Sequence, residues 1–326
     1  MNVRALALVF AASSLVLVAV AKVPYTGRRQ LNVLPDGLMR SLGKTSYTTM
    51  LSGKAVQSRG TSSATLERVG QRIARVAKQP KYDWQFRLIE DDSLNAWCLP
   101  GGYIGFYTGI LPVLENETGM AFVMGHEVGH ATAKHGAERM SQRLTLLGGM
   151  AGLYLYLDGN SKMTTESKAI VVGALGVGAQ FGVLLPFSRK HESEADIIGM
   201  MYMANAGYSP EESIRVWDRM DAANKGAKLP AFLSTHPSHS RRQVKLREWL
   251  PQAQKRYERH RLPGDLTRTL WEGGVSSKPS RGTKPQSNRA PTSSGESSSK
   301  PTQAPTRSTG GSEDSGKKKS NPVRTK

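Results

Sequence analysis

Apolar residues recur at helical spacing over 61–79, 116–142, 165–187, 189–206 and 209–223, and these stretches predict five helices. A shorter region between them alternates instead. Over Tyr82–Glu90, Trp84, Phe86 and Leu88 face one way while Gln85, Arg87 and Ile89 face the other, as in a strand. Pro100-Gly101-Gly102 then turns the chain into a second strand, Tyr103 to Thr108. Many helices and a small sheet make the fold class α+β.

Two apolar regions stand out. In the first, Met120, Ala121, Phe122, Val123, Met124 and Val128 make most of one helix circumference apolar, with Asn116, Glu117 and Thr118 as a capping start. Gly125 and Gly129 would weaken an exposed helix by about 1 kcal/mol each, so they point to close approach of another backbone. The second region runs from Leu144 to Leu157 and again from Ala169 to Phe187. The later piece is long enough to span a bilayer, but its glycines and Gln180 favour a tightly packed core helix beside the first, or one contacting a membrane, over a true span.

Polar residues inside the first helix change the picture. His126 and His130 are four apart, so both imidazoles leave one face and can reach one metal ion. Burying them with Glu127 would be costly unless something binds there. In hydrolases with this pattern the glutamate does not bind metal but takes a proton from water. Catalytic zinc takes a third protein donor, and Glu192 in Ser188–Asp196 supplies it; Asp196, one turn on, accepts a ligand histidine's free N–H and fixes its tautomer. Glu194 lies about 200° around the helix from Glu192 and is expected to be solvated or paired with a basic neighbour. His135 is about 140° from His130 on a continuous helix, and His191, His239 and His260 also point away from the metal. His236 precedes Pro237 and so sits on a stiff tether, where it serves either as an oxyanion donor or as a gate in the open metal position. The backbone of Asn95–Leu99 or of Tyr103–Phe106 is expected to pair with an extended substrate.

These motifs resemble one family. GHEVGHATAKHGAERMSQ from Gly125 and LLPFSRKHESEAD at 184–196 are similar to the M48 zinc metallopeptidases, in the OMA-like and bacterial periplasmic branch. YTGRRQLNVLP from Tyr25, NAWCLPGGYIGFYTGIL from Asn95 and THPSHSRR from Thr235 extend the likeness over roughly residues 25–250, in the family's order. The resemblance implies a zincin-like fold, mostly helical, with a small sheet beside the metal helix. It also implies one zinc per chain on His126, His130 and Glu192, Glu127 as general base, and Arg242 bracing the His236 loop or contacting substrate. Gly129 replaces the commoner alanine and Cys98 a small or apolar residue, neither altering the chemistry. Misfolded or damaged envelope and membrane proteins are the implied substrates.

Charge and composition shape the ends. Residues 1–21 have a basic start, an apolar run from Ala5 and Ala19-Val20-Ala21 before Lys22, which reads as a signal peptide, with an uncleaved anchor as rival. Residues 22–265 form the peptidase domain. Residues 266–326 form a disordered Ser/Pro/Lys-rich tail, and from Ser276 it holds 11 Lys and Arg against 3 Asp and Glu, hence +8 of the chain's +19. Such a tail favours anionic membrane or cell-wall polymer over nucleic acid. A lone Cys98 excludes an internal disulfide and leaves stability to the core and the metal. Together these features predict an exported, periplasmic or inner-membrane-anchored endopeptidase, with the mitochondrial inner membrane as alternative location. A zinc-stabilised periplasmic chaperone or adaptor is the rival function. Oligomeric state is left open.

Overall fold

The computed structural model describes residues 20–160, 162–179, 185–223, 231–236, 240–264 and 266. The expected leader up to residue 19, the tail beyond 266, His239 and part of the second apolar region lie outside the described residues. In order, the elements are β1 (Val20–Lys22), β2 (Arg29–Leu31), α1 (Asp36–Leu51), β3 (Val56–Gln57), α2 (Thr61–Ala77), β4 (Gln85–Ile89), β5 (Ala96–Leu99) and β6 (Tyr103–Tyr107). Then come α3 (Leu111–Leu114), α4 (Glu117–Thr132), α5 (His135–Asn160), α6 (Thr165–Ala179), α7 (Leu185–Asn205), α8 (Glu212–Ala223), α9 (Ala231–Thr235) and α10 (Ser240–His260). The result is mostly helical with a small mixed sheet.

Strand order is β3-β4-β6-β5. β4 and β6 run parallel, Phe86 opposite Ile104 and Leu88 opposite Phe106, so the two expected strands are joined by a crossover and not by a hairpin. β5 turns back beside β6 through the Pro100–Gly102 turn, whose two glycines take the positive φ values of 103° and 95° that disfavour side chains. β6 is paired on both edges, which removes Tyr103–Phe106 as a substrate strand; β5 is the outer strand.

α2 places Leu66, Val69, Ile73 and Ala77 on one face against the sheet, where Phe86 fills the space a side chain at Gly70 would need. α4 is the central helix. All its residues are buried, and the Asn116 side chain accepts a hydrogen bond from the Gly119 amide at 2.9 Å, as expected of the capping start. The expected single helix over 116–142 is broken at Ala133-Lys134, where Lys134 adopts φ 55° and α5 departs in a new direction. Helices α1 and α10 and the β1–β2 hairpin were not expected from the pattern.

Beyond its first turns α5 leaves the core. With α6 it forms a hairpin on which Leu144, Leu147, Leu155, Tyr156, Ile170 and Leu175 are exposed. The core-helix reading of this second apolar region is therefore corrected: α6 packs against α5, while α7 is the helix that packs on α4. No described helix is long and apolar enough to cross a membrane.

Candidate metal centre

The close crossing of α4 and α7 positions the site. A Cβ on Gly125 would stand 2.7 Å from the Gly199 carbonyl oxygen, and one on Gly199 would stand 2.6 Å from the His126 nitrogen, so both positions need glycine. Gly129 faces the Ala195 carbonyl in the same way, with 3.1 Å left for a Cβ. At this separation α7 aims Glu192 between the two histidines of α4. His126 Nε2 and His130 Nε2 lie 3.1 Å apart. Glu192 Oε2 is 3.6 Å from the first and Oε1 is 3.5 Å from the second. His236, at the end of α9, adds Nδ1 at 3.2 Å from His126 Nε2 and 3.0 Å from Glu192 Oε2. All four donors fall within 4.8 Å of one another.

These spacings suit a small cation. Ligands about 2.0–2.1 Å from zinc at tetrahedral corners are separated by roughly 3.3 Å, and the separations here bracket that value. Three imidazoles cannot all satisfy one another through lone pairs at such distances, whereas a cation satisfies every one. The two α4 histidines are shifted in opposite senses, His130 being held well below its ordinary value, by burial first. Burial alone would lower the His126 pKa, but Asp196 and Glu192 raise it to about 9.

Outside the donors, Asp196 accepts from His126 Nδ1 at 2.9 Å, as the spacing of Glu192 and Asp196 implied. Arg242 grips the same carboxylate through Nε at 2.6 Å and Nη2 at 2.8 Å, a bidentate pair in a buried place. Its Nη1 donates to the His236 carbonyl at 3.2 Å, and its guanidinium lies 4.0 Å from the Trp217 ring centre. Arg242 thus braces the His236 loop. Phe232 stacks on His236 at 4.5 Å from the other side.

Glu127 points beside this cluster. Its Oε1 is buried without a hydrogen-bond partner and stands 3.5 Å from His236 Nε2. Burial raises its pKa above the usual carboxylate range, against the lowering pull of His236 and His126. β5 packs against α4, so the outer strand runs next to this carboxyl. The Cys98 thiol itself is pushed well up by burial and then by Glu127, which keeps it neutral. A cavity of about 480 Å³ opens between β5, α1 and His130, walled by Met39, Leu42, Leu99, Ala137 and Met140 and rimmed by Arg40 and Arg139.

A second polar group went unforeseen. The break at Lys134 swings His135 back so that its Nδ1 lies 3.0 Å from His130 Nδ1, not turned away as a continuous helix would put it. His135 Nε2 faces Glu194 at 3.3 Å. Glu194 is buried, contrary to the solvated alternative, and meets Arg28 Nε at 2.7 Å. Arg28 extends its other two nitrogens to Glu138 at 2.7 and 2.6 Å, and His191 closes the group on Glu138 at 2.8 Å. The chain from Val23 to Arg28 is thereby strapped across α7, with Tyr25 edge-on to Tyr202. The sequence signal was the Tyr25–Arg29 motif, whose role no spacing argument addressed. His260 lies exposed on α10, bonded to its own helix at the Arg256 carbonyl.

The sequence is similar to those of known proteins. The model of peptidase family M48 matches residues 61–250. The chain is 34% identical over 242 residues to the mitochondrial metalloendopeptidase OMA1 of Schizosaccharomyces pombe, covering 72% of this chain and 68% of that protein. Its Saccharomyces cerevisiae namesake is 35% identical over 215 residues, covering 60% and 58%. The Beta-barrel assembly-enhancing protease of Escherichia coli K12 is 28% identical over 175 residues, or 52% of this chain and 35% of that protein.

Proposed function

The chain belongs to peptidase family M48 and is a metalloendopeptidase, and from that premise we propose that it is a zinc enzyme degrading misfolded or damaged envelope and membrane proteins. The single observation that carries the zinc reading is the set of four donors converging beside a buried carboxylate whose Oε1 has no hydrogen-bond partner. His126, His130 and Glu192 are the residues to hold the ion. Bound there, the ion would supply Lewis acidity toward the scissile carbonyl and toward the water that attacks it.

The chain's own groups do the rest. Glu127 accepts the proton of the attacking water and passes it to the leaving amine, a role suited to a carboxyl whose pKa burial raises. The free edge of β5 pairs with the extended substrate backbone and holds it along α4. His236 stands at the corner where water and carbonyl must enter, where its imidazole serves either as a gate over that position or as a donor to the oxyanion. Envelope substrates are supported by relatives named for the mitochondrion and for assembly of β-barrels.

Degradation of an unfolded model protein by the zinc-loaded full chain tests this reading against Glu127→Gln and His236→Ala. Cleavage lost in Glu127→Gln at unchanged zinc content is the expected result. Cleavage persisting in that variant overturns the assignment of the base. Higher turnover in His236→Ala identifies the imidazole as a gate, and lower turnover as an oxyanion donor. Zinc binding without cleavage in every form would favour the chaperone or adaptor alternative.

A further inference from the structure

The α5–α6 hairpin carries an apolar surface that the catalytic reading does not use. Met140, Leu144, Leu147, Ala151 and Leu155 are all exposed, and their spacing of four, three, four and four puts them in one stripe along α5. Exposed Ile170, Val171 and Leu175 continue the surface on α6. Large contiguous apolar areas of this kind mark interaction sites.

Charges bound the surface at both ends. Between Leu144 and Leu157, and from Ala169 to Ala179, neither helix has a charged residue. At the root, Arg139, Arg143, Arg189 and Lys190 are exposed while the neighbouring acids Glu138, Glu192 and Glu194 are buried and paired. The Glu138–His191 contact of 2.8 Å joins the first turn of α5 to α7, so the cations from both helices gather there. At the tip, Asp158 and Lys168 form an ion pair of 2.8 Å, with Lys162 and Glu166 exposed beside it.

We propose that this hairpin is a bilayer-binding device that lies in one leaflet of an anionic membrane, its uncharged middle among acyl chains and both charged ends at the headgroups. An upright hairpin would carry Asp158, Lys162, Glu166 and Lys168 into the hydrocarbon, which is costly, whereas an in-plane one leaves them at the interface. The exposed cations at the root match an anionic surface. A second copy of this chain would bring the same basic root against itself, which favours lipid as the occupant. The cavity beside His130 shares Arg139 and Met140 with this root. On the protease reading above, the substrate groove therefore opens next to the membrane surface and receives segments emerging from it.

A local probe keeps the termini out of the test. Single cysteines at Leu147, Leu155 and Ile170, and at exposed Glu67 on α2 as control, are placed in the full chain carrying Cys98→Ala and labelled with an environment-sensitive fluorophore. With vesicles of phosphatidylcholine and phosphatidylglycerol, the hairpin labels should shift to the blue and be quenched several-fold more than the control by nitroxides on acyl chains. With phosphatidylcholine alone, or after Arg143→Glu with Arg189→Glu, the response should fall several-fold. Hairpin labels that stay aqueous while the protein floats with vesicles overturn the proposal, leaving attachment to other segments. A blue shift without lipid that grows with protein concentration also overturns it, in favour of self-association. Neither result bears on cleavage, so the protease reading stands or falls separately.

Discussion

α4 with α7 and α5 with α6 are both pairs of apolar, glycine-bearing helices, yet the first pair encloses a dense polar network and the second turns its apolar surface outward. The difference lies in what the glycines meet. At Gly125, Gly129 and Gly199 the space is taken by the opposing backbone, whereas at Gly148, Gly149, Gly152, Gly159 and Gly173 nothing lies within 4 Å of where a Cβ would be. Close backbone approach lets short donors from two helices converge on one point, and it excludes water from them. Among the described residues the hairpin has no such partner helix. Its apolar surface is available for a different solvent, and its polar groups sit at its ends.

The largest expected effect comes from the buried network. Arg242→Met keeps the side-chain volume but strips Asp196 of its cation in a place without solvent, and removing one partner of such a pair costs about 3–5 kcal/mol. Thermal unfolding should show that loss, together with a 10- to 100-fold weaker hold on zinc as His126 loses its orientation, of order 10–100 for a metal's outer hydrogen bonds. Unchanged stability and zinc affinity would mean that Asp196 orients His126 without help from Arg242.

Glycine substitutions sharpen the comparison directly. Gly125→Ala drives a methyl onto the Gly199 carbonyl and should cost about 2–3 kcal/mol from overpacking. Gly152→Ala meets open space in a helix and should stabilise by up to about 1 kcal/mol through propensity. Equal effects at the two sites, read from denaturant midpoints, would erase the distinction between the helix pairs.

That the candidate donors would converge was legible because their logic is local. His126 and His130, or Glu192 and Asp196, share a face whatever surrounds the helix, and the glycine at 125 announced a backbone neighbour without naming it. Glu194 shows where such reasoning stops. Its angle from Glu192 was right, but no single-helix argument reveals that Arg28, 166 residues earlier in the chain, covers that opposite face. His135 was misplaced because the reading assumed one helix through Lys134. The later apolar piece was read as a core helix or one contacting a membrane, and the core alternative failed for a related reason: periodicity reports that a surface is apolar and is silent on what touches it. Among the six described strands, β4 was legible from alternation and β6 from the Pro100–Gly102 turn before it, while their parallel pairing depends on a crossover that alternation does not encode.

A smaller effect, with a distinctive pH dependence, belongs to the Arg28 strap. Burial would raise Glu138, but hydrogen bonds from Arg28 and His191 hold it down, to about 2 from an ordinary 4.5. Because the folded value is the lower one, its stabilisation is complete above about pH 4.5 and is lost as pH falls toward 2. Glu194 is lowered in the same sense, burial being outweighed by His135 and Arg28. Arg28→Met should cost roughly 2 kcal/mol at neutral pH and flatten the stability profile between pH 4.5 and 2. A parallel profile, merely displaced downward, would show that Arg28 contributes packing and not charge.

The smallest effect on stability is expected in the hairpin, and it separates the two helix pairs by function. Leu147 is 62% exposed, so replacing it with serine removes little area that folding had taken from water. Unfolding of Leu147→Ser in solution should therefore stay within about 0.5 kcal/mol of the natural chain, the ordinary range for surface changes. Partition into anionic vesicles, by contrast, should fall several-fold for the same substitution, because a leucine resting among acyl chains contributes transfer free energy there that it does not contribute to folding. A loss of stability comparable to a core leucine would show that another part of the chain covers the stripe, and the distinction between the two helix pairs would then reduce to which segment each one packs against.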